Sequence, residues 1–124
     1  MNWTAIAAIA LALAVMLGAF GAHGLKNRLD TYSMGIYEKA VFYHFIHALG
    51  ILIVSSLPRI GTAPAGGWVC TLLLVGIVIF SGSLYVLAVT GIRSLGAITP
   101  VGGLSFIVAW LLLAYVLLRS PGRI

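Results

Sequence analysis

Charge is what this sequence has least of. Seven basic and two acidic side chains among 124 residues make it 7% charged, against about 25% for an ordinary soluble domain. A water-facing surface cannot be built from so few charges. Cys70 is the only cysteine, so no intrachain disulfide can form and the redox compartment is unreadable. The length leaves no room for a separate soluble module, and a single domain over residues 1–124 is expected. A basic stripe of the kind that binds nucleic acid is also missing. Lys26, Arg28, Lys39, Arg59, Arg93, Arg119 and Arg123 are spread over every connection and the tail, where long basic side chains reach the lipid headgroups.

What fills the chain instead is apolar. Residues 1–25, 40–58, 60–92 and 94–118 contain no Lys, Arg, Asp or Glu, and a bilayer-spanning helix needs about 20 mainly apolar residues. The pattern predicts an all-α bundle of four transmembrane helices, at about 3–22, 37–57, 68–90 and 100–118, with both termini on one side. The first run lacks a basic leader segment and exceeds the usual signal-peptide length, so it reads as a retained helix. Pro58 ends the second helix, and Pro64-Ala65-Gly66-Gly67 forms a turn before Trp68. Gly91 suits a left-handed C-cap. Thr99-Pro100 supplies a capping hydroxyl and a first-turn proline, and Pro121-Gly122 stops the fourth helix. Asp30, Thr31 and Ser33 are alternative caps that would start the second helix before the bilayer. Lys and Arg divide almost evenly between the two faces, which assigns no orientation.

Ala10, Ala14, Gly18 and Ala22 recur every four residues along the first helix and form a small-residue ridge. Such ridges let backbones approach where lipid removes the hydrophobic incentive to associate. Packing within the bundle is favoured over a dimer contact. Gly102, Ser105 and Ala109 give the fourth helix a similar face, and Gly82 allows close approach in the third. Trp3 and Trp68 fit an interfacial aromatic belt, and Trp110 falls deeper, as a plug.

Polar groups inside the spans are few. His44 and His47 share one face of the second helix with Ala40, Ala48, Ile51 and Ser55. Ser81 and Ser83 flank Gly82 about 200° apart, so they cannot both face one neighbour. An interior polar patch is expected from His23, His47 and at least one of Ser81, Ser83 and Thr99, because polar groups at membrane depth need partners. Three histidines raise a metal or haem reading. His-x-x-His spacing and a lone nearby carboxylate, Glu38, carry it poorly. No catalytic, cofactor or metal residue is assigned, and no cofactor is implied.

The segments Leu17 to Leu25 (LGAFGAHGL), Tyr43 to Leu52 (YHFIHALGIL), Phe80 to Tyr85 (FSGSLY) and Gly96 to Gly103 (GAITPVGG) occur in the order of, and together resemble, the YgdD-like family of small bacterial inner-membrane proteins, domain-of-unknown-function family 423. The resemblance implies four transmembrane helices and a bacterial plasma-membrane location, and brings no activity. Its motifs fall on Gly18, Gly21, His23, Tyr43, His47, Ser81, Gly82, Ser83, Tyr85, Thr99, Pro100, Gly102 and Gly103, with His44 outside them. The functional expectation is a structural or accessory component that packs with itself or another membrane complex, rather than an enzyme. The alternative is a small transporter or channel for a proton, ion or small hydrophobic molecule. Membrane lipids are the assured partners.

Overall fold

A computed structural model describes residues 1–120; Pro121, Gly122 and Arg123 lie outside the described residues. Helix α1 spans Trp3–His23 and α2 spans Thr31–Ser56. Helix α3, Pro64–Gly76, continues through a π-helical turn, Ile77–Ser81, into α4, Gly82–Thr90. A 3₁₀ turn, Arg93–Ala97, leads to α5, Thr99–Arg119. Together these make four segments long and apolar enough to cross a membrane.

The boundaries follow local chemistry. The Asn2 side chain accepts from the Ala5 amide at 3.0 Å and caps α1. The Asp30 carboxylate accepts from the Ser33 amide at 2.7 Å, so α2 starts at Thr31 rather than near Tyr37. Leu57 turns extended ahead of Pro58 (ψ 127°) and ends α2, the conformation a following proline favours. Pro64 stands at the first turn of α3, which places Gly66 and Gly67 inside the helix rather than in a turn before Trp68. Gly91 closes α4 with φ 72°.

Thr99 is not the cap of α5. Ile98 holds that position, because the 3₁₀ turn runs straight on and the Ile98 carbonyl already receives the Val101 amide at 3.0 Å. The Thr99 hydroxyl is thereby free to turn inward, towards Leu95 O at 3.3 Å and the Ser83 hydroxyl at 2.6 Å.

Helix α2 is central: α1 lies along it, α3 and α4 pack on it, and α5 packs on α3 and the π turn. The spans containing α2 and α3–α4 are each 39% buried over their most apolar stretch, against 22% for α1 and 17% for the span ending in α5, so α1 and α5 are the outer helices. The shared core is built from Ala48, Ile51, Val54, Val69, Leu73 and Ala109. Its cohesion is close van der Waals packing, since lipid chains are as apolar as leucine. Ile9, Met16, Phe20, Leu104, Ile107 and Leu111 face outward, where they meet lipid.

The seam of α1 is Ala7, Ala10, Ala14 and Gly21, with Gly18 half-buried and Ala22 exposed. A strict four-residue spacing advances about 40° per step, so over the twelve residues from Ala10 to Ala22 the ridge rotates away from its partner by about 120°. Gly102 is the closest approach in α5: a Cβ there would stand 2.8 Å from Phe80 Cα. Gly82 has no such neighbour within 4 Å of an added Cβ. The close contact that Gly82 was expected to provide sits instead one helix over, where Gly102 meets the Phe80 backbone.

Candidate functional site

Polar side chains of the interior fall into two layers set by the geometry of α2. Tyr37 and His44 lie seven residues apart and therefore on one face. Tyr37 donates its hydroxyl to Leu17 O of α1, and its ring meets Tyr85 edge-on at 5.3 Å. His44 Nδ1 is 2.9 Å from the Tyr85 hydroxyl, and the Ala10 carbonyl of α1 lies beside the same imidazole. Which of the two donates in the His44–Tyr85 hydrogen bond depends on the imidazole tautomer. One cluster thus links α1, α2 and α4.

Ser81, fully buried, donates to Ala40 O at 2.8 Å. Ser83 donates to Phe80 O at 2.9 Å and shares a 2.6 Å hydrogen bond with Thr99. The two serines serve different neighbours, α2 and the start of α5. The π turn, which ends at Ser81, adds a residue to the helical repeat and sets these directions.

His47 belongs to the second layer, which is aromatic. Its Nδ1 donates to Tyr43 O at 2.8 Å within the same helix. The ring stacks on Phe106 at 3.5 Å between centroids, parallel to within 11°. Tyr43 and Trp110 complete the surround at 5.9 Å each. Trp110 is 38% exposed and lays only its ring edge over Gly50, where an added Cβ would stand 2.9 Å from Cη2. It is a flank of this layer rather than a plug. Trp68 is 65% exposed and Trp3 is half-buried.

The expected patch residues are therefore not one group. Ser83 and Thr99 meet each other, Ser81 meets the backbone of α2, His47 meets its own helix and aromatic rings, and His23 is exposed at the end of α1. His44, Tyr85 and Tyr37 form a further side-chain group that the expected patch did not include. The seven-residue spacing of Tyr37 and His44, with Tyr85 in the FSGSLY motif, was the available signal. A phenol–imidazole pair can pass a proton along its hydrogen bond, and Asp30 and Glu38 are both exposed. Among the described residues, no buried side-chain nitrogen or oxygen lacks a hydrogen-bond partner, and no three His, Cys, Asp or Glu residues are grouped to hold a metal ion.

The family described as "Protein of unknown function (DUF423)" matches residues 17–103, from the first of the quoted motifs to the last. A UPF0382 membrane protein of Staphylococcus epidermidis is 49% identical over 111 residues, covering 89% of each chain. One from Staphylococcus saprophyticus is 52% identical over 102 residues, or 82% of this chain and 83% of the relative. The UPF0382 membrane protein YwdK of Bacillus subtilis is 46% identical over 112 residues, or 87% of this chain and 89% of the relative. No solved structure matches. With four membrane-long helices and these relatives, the chain is a multi-pass bacterial membrane protein and belongs to the DUF423 (UPF0382) family.

Proposed function

We propose that this protein is an accessory component of the membrane, packing with itself or with another membrane complex through its outer helices. The observation that carries this reading is the way interior polarity is consumed. The buried hydroxyls and imidazoles close on one another or on backbone carbonyls within the bundle, and among the described residues none is left without a partner. Groups that carry a solute through a membrane instead face one another across water or the solute. Helices α1 and α5, with most of their surface turned outward, are the faces available for association. Crosslinking in native membranes followed by mass spectrometry tests this: crosslinks from α1 or α5 to a second copy or to one recurrent membrane protein are the expected result. A uniformly monomeric chain with only lipid around it overturns it.

The His44–Tyr85 pair favours one second reading, proton movement coupled to this bundle. A proteoliposome carrying a pH-sensitive dye decides between the two. Proton flux that disappears in Tyr85→Phe would replace the accessory reading.

A further inference from the structure

The α1–α2 connection and the α4–α5 connection share one face of the bundle and, with the adjoining ends of α2 and α4, flank an open cavity of about 540 Å³. Its lining changes character with depth. Asp30, Ser33 and Arg93 stand at the level of the connections, and Ile36 and Leu87 line it from within α2 and α4. Ile36 is six residues past the Asp30 cap, about 9 Å deeper along the helix axis at 1.5 Å per residue. This polar-to-apolar gradient is that of a lipid–water interface.

The two charges in the cavity are of opposite sign. The Ser33 amide and hydroxyl hold the Asp30 carboxyl below the usual carboxylate range, so it is an anion at neutral pH. Arg93 is exposed on the 3₁₀ turn and offers a planar fork of donors suited to phosphate. Gly96 also lines the cavity, and a Cβ added there meets nothing within 4 Å, so the space beside it is open.

We propose that this cavity is a headgroup site for a phosphate ester carrying a primary ammonium, delivered as a phosphatidylethanolamine from the surrounding leaflet. Arg93 binds the phosphate, Asp30 accepts from the ammonium, and Ile36 and Leu87 meet the upper part of the acyl region. A primary ammonium donates three N–H groups to a carboxylate, which a quaternary choline cannot do. A glycerol headgroup would leave Asp30 facing no cation. This site is independent of the accessory reading, since it requires no protein partner.

Native mass spectrometry of the full chain in mild detergent, offered equal amounts of phosphatidylethanolamine, phosphatidylcholine and phosphatidylglycerol, tests the assignment. Phosphatidylethanolamine adducts should exceed the other two by roughly tenfold, the equivalent of about 1.4 kcal/mol. Asp30→Asn should erase the preference over phosphatidylcholine, Arg93→Gln should weaken every phospholipid adduct, and Gly96→Leu should reduce the adduct by filling the cavity with both charges left in place. All three positions are exposed or open, and circular dichroism confirms that each variant is folded. Equal retention of the three lipids, or adducts unchanged in both Arg93→Gln and Gly96→Leu, overturns the site. Soluble O-phosphoethanolamine is the remaining arm. Displacement of the lipid only at large excess supports a membrane source, and binding tighter than the lipid overturns it in favour of a free phosphate ester.

Discussion

Replacing Gly102 by alanine should destabilise the protein, whereas the same change at Gly18 should not, although both glycines lie in apolar helices and both recur in the family motifs. Local propensity treats them alike, since Ala in a helix interior is favoured over Gly by about 1 kcal/mol. The surroundings separate them. At Gly18 an added methyl stands 3.5 Å from Val41 Cγ1, an ordinary contact with a side chain that can adjust. At Gly102 it stands 2.8 Å from both Phe80 Cα and Cβ, and backbone cannot rotate away. Normal carbon contacts need about 3.5–4.0 Å, so α5 would have to retreat from the π turn by about 1 Å. Overpacking of this kind costs about 1–3 kcal/mol. Set against the propensity gain, Gly102→Ala should come out up to about 2 kcal/mol less stable and Gly18→Ala unchanged to about 1 kcal/mol more stable.

Cys70, 1% exposed and the only thiol, provides the assay. A thiol-reactive fluorophore reports its exposure as the protein is heated in detergent. The Gly102→Ala midpoint should fall by up to a few degrees, and the Gly18→Ala midpoint should stay level or rise. A Gly102→Ala midpoint at or above the parent's would mean that α5 does not rest on the Phe80 backbone, and the packing argument would fail.

The spans were legible because bilayer thickness imposes a length and a composition that survive any detail of packing. The side-chain arrangement was less so, and the failures have separate physical origins. Asp30 was visible as a cap, yet apolar periodicity begins only near Tyr37, so a start drawn from hydrophobicity misses the polar first turn. Nothing in Ile77 to Ser81 marks a π turn, because the widened repeat is stabilised by tertiary contacts: Ser81 on Ala40 O and Phe80 on Gly102. The small-residue ridge on α1 was read at a spacing of four, and the observed seam steps by three, four and seven residues, which keeps it facing α2. His44 and His47 lie three apart and were expected to share surroundings. About 60° of rotation between them is enough to place one against Tyr85 and the other against Phe106.

Three further outcomes follow from the same geometry. In a double-mutant cycle, His44→Phe and Tyr85→Phe should show a coupling of about 0.5–1.5 kcal/mol in thermal stability, the range for hydrogen bonds between membrane helices; strictly additive losses would remove the pair from the bundle interior. Ser81→Ala should destabilise more than Ser83→Ala, since it leaves the fully buried Ala40 O without the Ser81 donor, whereas Thr99 keeps Leu95 O; equal midpoints in the thiol assay would contradict this. The last concerns acid. Asp30 has its folded-state value lowered by the Ser33 amide and hydroxyl, so its contribution is complete above the unfolded carboxylate value and is lost as pH falls through the lower, folded one. The chain should therefore keep the first turn of α2 at neutral pH and lose it only below about pH 4. Asn also caps helices well but does not titrate. Asp30→Asn should match the parent near neutrality and remove the part of the acid-induced drop in melting temperature that Asp30 supplies. Glu38 is present in both proteins and cancels in the comparison, so identical acid profiles would show that the cap on α2 is not sensed as a charge.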